Sequence, residues 1–201
     1  MFLHDGSALA QDLSSQSIVS LLSADPPVNF LIALGTPSTQ LSSLASEFSL
    51  SIPPPNTPLV SHFPPRDVPH AVIPITIPSP NPALPASQRP PPILKTTDPK
   101  APIWFSGIPF YLKNNPLLVP ILRAPAESFA TDTESDKGAD VLVDAAEKGG
   151  EGLWAGADLH VVAGFQARGG GRVVWAGGVE LFSDEYARAQ TKTKESLELV
   201  P

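Results

Sequence analysis

Between Leu159 and Ala176 two apolar runs, LHVVAGFQ and RVVWA, stand five residues apart, and those five are Ala167, Arg168 and three consecutive glycines. Val161, Val162, Phe165, Val173, Val174 and Trp175 are β-branched or aromatic, the types that pack on a pleated, buried surface. The linker has room only for a reversal, and Gly169, Gly170 and Gly171 accept positive φ without a Cβ clash. This pattern predicts an antiparallel hairpin, Leu159 to Gln166 with Arg172 to Ala176. Downstream, Ser183 stands where a helix N-cap would, with Asp184 and Glu185 at the positive end of the helix, so the unit is expected to run on to Ala189. The rest of the chain has to supply what this hairpin packs against.

Proline decides where it can do so. Seventeen of the 25 prolines fall between Pro53 and Pro102, a stretch that cannot form regular backbone ladders throughout. Leu59 to Phe63 and Ala71 to Ile77 keep enough β-branched residues for short edge strands, where a missing N–H can face water. Pro78 to Pro102 has little to bury and is expected to be an extended, mobile surface loop. Within it, Arg89-Pro90-Pro91-Pro92 admits a docking role in polyproline II form, but a loop insertion of no specific role is the stronger reading.

The first fifty residues read differently. Leu9, Leu13, Ile18, Val19, Leu21 and Leu22 are spaced loosely as for an amphipathic helix within Phe2 to Ser23, ended by Asp25-Pro26-Pro27. Val28 to Leu34 is a short apolar run suited to a buried parallel strand. Leu41, Leu44, Ala45 and Phe48 then fall at i, i+3, i+4 and i+7, one face of a helix over Thr39 to Leu50. Further on, Ile103 to Gly107 reads as a strand ending in a turn, and Leu117 to Leu122 as another, interrupted by Pro120. Thr131 to Asp140 reads as an acidic loop, Val141 to Lys148 as a short helix stopped by Gly149-Gly150, and Gln190 to Pro201 as a frayed end. Helix and strand alternating early, with a strand-rich second half, give an α/β sheet with an antiparallel extension.

Composition bounds the chemistry. A net charge of −7 and a pI near 5.0, with no basic patch, exclude nucleic-acid binding, which needs clustered Lys and Arg against phosphates. Absence of cysteine removes disulfides and thiolate chemistry. No apolar run approaches the roughly 18 residues that span a bilayer, and Met1 to Asp5 lacks the features of a secretory leader. Arg168-Gly169-Gly170-Gly171-Arg172 resembles a phosphate loop in composition, but such loops open onto a helix and this one leads into a strand. Ser106-Gly107 and Ser183-Asp184 lack the Gly-x-Ser-x-Gly elbow of an exposed nucleophile. His4, His62, His70 and His160 show no metal-ligand spacing, and His160 reads as a strand surface residue. Asp132, Glu134, Asp136 and Asp140 form an acidic run of the kind that is usually solvated. No catalytic, cofactor-binding or metal-binding residue is therefore assigned, and no cofactor.

The run GFQARGGGRVVWAGGVELFSDEYA resembles the segment closing the lumenal N-terminal domain of the non-catalytic oligosaccharyltransferase subunit family, the wheat-germ-agglutinin-binding protein of fungi and the 48-kilodalton subunit of animals. Phe165-Gln166-Ala167-Arg168, Arg172-Val173-Val174-Trp175 and Phe182-Ser183-Asp184 match the family pattern in order. Gly169-Gly170-Gly171 stands for Asn-Asn-Ala and Gly177-Gly178 for Gly-Ser; Asn also tolerates the left-handed region, so the first change keeps the turn chemistry. Val28 to Leu34 resembles the family's Gly-Asn-Ile-Leu strand, with Asn29 as its Asn.

The resemblance implies a flavodoxin-like or amidotransferase-like sheet, incomplete in this chain, that has lost its catalytic residues. It also implies a place among the other oligosaccharyltransferase subunits in the endoplasmic reticulum, with this segment lumenal and the membrane anchor outside this chain, which then reads as an internal piece or a truncated gene model. On this view residues 1–52 form the α/β portion, 53–102 the Pro-rich edge strands and loop, 103–189 the strand-rich closing part and 190–201 the tail. A soluble α/β enzyme and a Pro-rich adaptor remain the alternatives from other classes. If the proline block buries as little as its composition implies, limited proteolysis cuts first within Pro78 to Pro102 and leaves the remainder folded. Protection of that stretch, with cutting elsewhere, would refute the reading.

Overall fold

The computed structural model describes residues 2–4, 14–34, 39–53, 57–61, 72–77, 102–131, 153–155 and 158–183. In chain order these give β1 (Phe2–His4), α1 (Ser15–Leu22), β2 (Phe30–Ala33), α2 (Thr39–Glu47), β3 (Leu50–Ser51), β4 (Val60–Ser61), β5 (Ile73–Ile75) and β6 (Ile103–Phe105). Then follow β7 (Phe110–Leu112), β8 (Leu118–Arg123), β9 (Ser128–Thr131), β10 (Leu153–Ala155), β11 (Leu159–Gln166), β12 (Arg172–Ala176) and a 3-10 turn, Glu180–Phe182. The class is α/β, as expected.

A seven-stranded sheet runs β1-β2-β12-β11-β7-β3, with β8 on the other edge of β11. Its first three strands are parallel, and β11, β7, β8 and β3 are joined by antiparallel pairs. Helices pack on one face. Ser14 caps α1 by accepting the Ser17 backbone N–H at 3.2 Å, and Ile18 and Leu22, four apart, are buried. On α2 the expected Leu41, Leu44, Ala45 and Phe48 stripe is buried in full. These residues form one core with Phe30 and Ile32 of β2 and Val173 and Trp175 of β12. Phe48 stands edge-on to Phe165 (4.9 Å between centroids) and tilted against Trp175 (5.5 Å), geometries that aromatic quadrupoles favour. Ser49, which ends this helical unit at φ 66, takes the left-handed place usually held by glycine. Its carbonyl accepts from Lys113 N–H and its Oγ from Asn115 Nδ2, bonds that offset the strain.

The other face carries a second core. There the β5-β6 pair, Leu59, Leu122, Leu159, Val161 and Val162 come together. A third sheet, β10-β9-β4, is tied to the first by Tyr111. Its hydroxyl donates to the Ala155 carbonyl at 2.9 Å and accepts from the Ala155 N–H at 3.2 Å, while its ring stacks on Trp154.

Val161 and Val162 are adjacent yet lie in the same core, which a regular strand forbids because successive side chains alternate faces. A bulge resolves this. Against β8 the register runs from His160↔Arg123 to Val162↔Leu122 and then to Ala163↔Pro120. The shift moves Ala163 and Phe165 to the helix side, opposite Trp175 and Val173. Among the described strands β8 is an outer one, and Pro120 within it has no N–H to offer.

Two expectations change. Phe2 to Ser23 is not one helix: Phe2–His4 pairs parallel to β2, and among the described residues of this stretch Ser15–Leu22 is helical. His160 is not a surface residue. It is 6 % exposed, because β11 has strands on both edges and a core on each face. Ser183 closes the 3-10 turn in extended backbone, and the helix expected after it lies outside the described residues. Outside them too lie His62, His70, Arg89 to Pro92, residues 78–101, the acidic run 132–140, residues 141–148 and the tail 190–201.

The hairpin forms as expected, with Gly170 at φ 94 and the Ala167 N–H bonded to the Gly171 carbonyl at 2.8 Å. Since the space around Gly170 is open out to a Pro27 ring carbon 3.8 Å from an ideal Cβ, backbone preference alone governs substitution there. Gly170→Asn should therefore be mild and Gly170→Val should cost about 1 kcal/mol or more, read from denaturant melts. Equal stability of the two variants would contradict a left-handed requirement.

Candidate functional site

A close backbone crossing stands at the junction of β12 and β7. Both lie on the same edge of β11: β12 pairs with Val162 to Gln166 and β7 with Leu159 and His160. They meet end to end, where Ile108 N–H donates to the Gly177 carbonyl and Gly177 N–H to the Val161 carbonyl, each at 2.8 Å. There is no space for side chains at this crossing. A Cβ on Gly107 would lie 2.3 Å from Gly177 O, one on Gly177 2.0 Å from Ile108 O, and one on Gly178 2.2 Å from Ser106 O. Gly107 also bonds through its carbonyl to Leu59 N–H at 2.8 Å, which brings in the segment before β4.

The sequence-level candidates distribute as follows. Arg168 and Arg172 are exposed on the hairpin, and Gly171 is buried against the carbonyl of Leu22 at the end of α1. A helix C-terminus carries partial negative charge, so this loop faces the wrong helix end for a phosphate. Arg172 N–H donates to Asn29 Oδ1 at 2.9 Å, an interaction that pins the hairpin to the entry of β2. Asn29, picked out only by resemblance, thus has a structural task. Ser106 is half-buried at the glycine crossing, and Ser183 has a buried Oγ with no hydrogen-bond partner. His4 lies in β1. Among the described residues no three of His, Cys, Asp and Glu gather as a metal site.

Other buried polar atoms without a partner are Trp104 Nε1, Trp175 Nε1 and both ring nitrogens of His160, each residue on a different strand. Burial lowers the His160 pKa below its usual 6.5, Arg123 adds to that, and the backbone and carboxylate of Asp158 oppose it. Sequence reading missed this residue and the crossing. The available signal was single glycines at strand ends, Gly107 and Gly177-Gly178, which mark close backbone approach as often as turns.

The crossing makes a sharp test. Gly177→Ala forces the Ile108 backbone aside and should destabilise by about 2 kcal/mol. Gly169→Ala, whose nearest neighbour would be Ser23 Cα at 3.7 Å, should stay within about 0.5 kcal/mol in the same thermal or urea melts. Similar losses at both would mean that the strand junction is not tight.

The arrangement is one of packing and backbone closure, with the charged side chains of the hairpin at its rim. Comparison with curated protein sequences gives no match. The family model described as OST48, N-terminal domain, matches residues 1–198. The chain belongs to the OST48 family, and these residues form the N-terminal domain of an oligosaccharyltransferase subunit.

Proposed function

We propose that this domain serves as a non-catalytic, lumenal part of the oligosaccharyltransferase complex of the endoplasmic reticulum. It supports transfer of a preassembled oligosaccharide from dolichol diphosphate to the Asn of Asn-x-Ser/Thr in nascent proteins. The observation that carries this reading is the family match across residues 1–198. The domain's contribution is assembly and positioning: a two-core α/β body that presents its surface to the other subunits. Among the described residues no helix is long and apolar enough to cross a bilayer.

On this reading glycosylation tracks the amount of assembled complex. Charge reversal at Arg168 or Arg172 lowers transfer only as far as it lowers assembly. Trp175→Ala acts more strongly, because emptying a fully buried indole site costs roughly 3–5 kcal/mol. The measurement is transfer rate per assembled complex for each variant. A variant that assembles fully and transfers far more slowly would assign its side chain to catalysis or glycan binding and overturn the non-catalytic role.

A further inference from the structure

His160 is the one buried ionisable side chain among the described residues, and both of its ring nitrogens lack partners. In register it stands opposite Phe110 of β7 on one side and Arg123 of β8 on the other, one residue before the bulge at Val161 and Val162. We propose that His160 makes the β8 margin of the central sheet an acid-triggered opening, in which protonation releases Arg123 and Ala124 from β11 while the parallel half of the sheet stays closed.

A neutral imidazole at this position carries one N–H. Protonation adds a second donor and a charge beside the guanidinium of Arg123, which the backbone and carboxylate of Asp158 offset only in part. The ionisable groups on the surrounding elements are Tyr111 on β7, Arg123 on β8, Arg172 at the far end of β12 and Asp158 just before β11. Glu47 of α2 and Glu180 of the 3-10 turn are solvent-exposed, as is Asp158, so water screens the acids that would compensate the charge. Relief comes most easily through β8, which among the described strands pairs with β11 alone and whose Arg123 is already exposed. The sign follows from linkage. The opened strand binds a proton near the ordinary histidine pKa and the closed one binds it less readily. Closure is therefore intact above that value and lost as pH falls through it.

Amide hydrogen exchange on the full 201-residue chain tests this. The reporters are the Ala124 N–H, bonded to the Leu159 carbonyl at 2.9 Å, and the Leu34 N–H, bonded to the Ala176 carbonyl at 2.7 Å. After correction for intrinsic rates, Ala124 protection should fall about tenfold between about pH 7 and about pH 5.5, with Leu34 unchanged. His160→Phe should abolish that fall. Arg123→Gln, at an exposed position that leaves the core intact, should make the fall smaller, because the closed strand then binds the proton more readily. Parallel loss at Ala124 and Leu34, an unaltered pH response in His160→Phe, or an undiminished fall in Arg123→Gln would each overturn the proposal.

Discussion

Everything in this domain hangs on one edge of β11 being shared by two strands from distant parts of the chain. β12 fills its second half and β7 its first, and the backbone of Ser106 to Ile108 passes directly against Gly177 and Gly178. Carbonyl oxygens occupy the places where side chains would be, and the N–H groups of Ile108 and Gly177 are satisfied by the crossing itself. Without that closure β11 would expose unpaired backbone between two hydrophobic layers, where each unsatisfied group costs about 1–3 kcal/mol.

The shared edge also explains the two cores. A strand that serves neighbours of different origin has to change which face its side chains present, and the bulge at Val161 and Val162 makes that change. Below it Leu159 and Val161 look toward the small sheets; above it Ala163 and Phe165 look toward Trp175, Phe48 and the helices. Tyr111 then extends the assembly sideways, since one hydroxyl satisfies both backbone groups of Ala155.

The legible parts of the sequence were those where pattern and burial coincide. The hairpin, Gly170 at its turn, the buried stripe of α2 and the parallel strand at Phe30–Ala33 all follow from periodicity and turn chemistry. Phe110–Leu112, Ser128–Thr131 and Leu153–Ala155 did not announce themselves, being three or four residues long and held by non-local partners rather than by their own pattern. His160 was misread for a related reason. One polar residue within an apolar run looks like a solvent-facing position until the partners on both edges are known, and these come from residues about fifty and about forty positions earlier. The glycine crossing was hidden because the clashing atoms belong to segments seventy residues apart. The family resemblance could be stated from residues alone; the packing that gives Asn29 and Arg172 their roles could not.

Pro120 carries a consequence for how this domain meets its neighbours. A sheet margin normally invites another chain to lay a strand along it, because its backbone offers alternating donors and acceptors. Along β8 that invitation is withdrawn: Pro120 has no N–H, and the N–H of Leu118 is already taken by the Asn115 carbonyl at 3.0 Å. Another protein approaching Leu118 to Pro120 finds those donors missing, together with the side chain of Val119, which is 45 % exposed. Recognition there has to be written in side chains rather than in a shared backbone ladder, so contact on this flank is specific to shape and sequence and closed to indiscriminate strand addition.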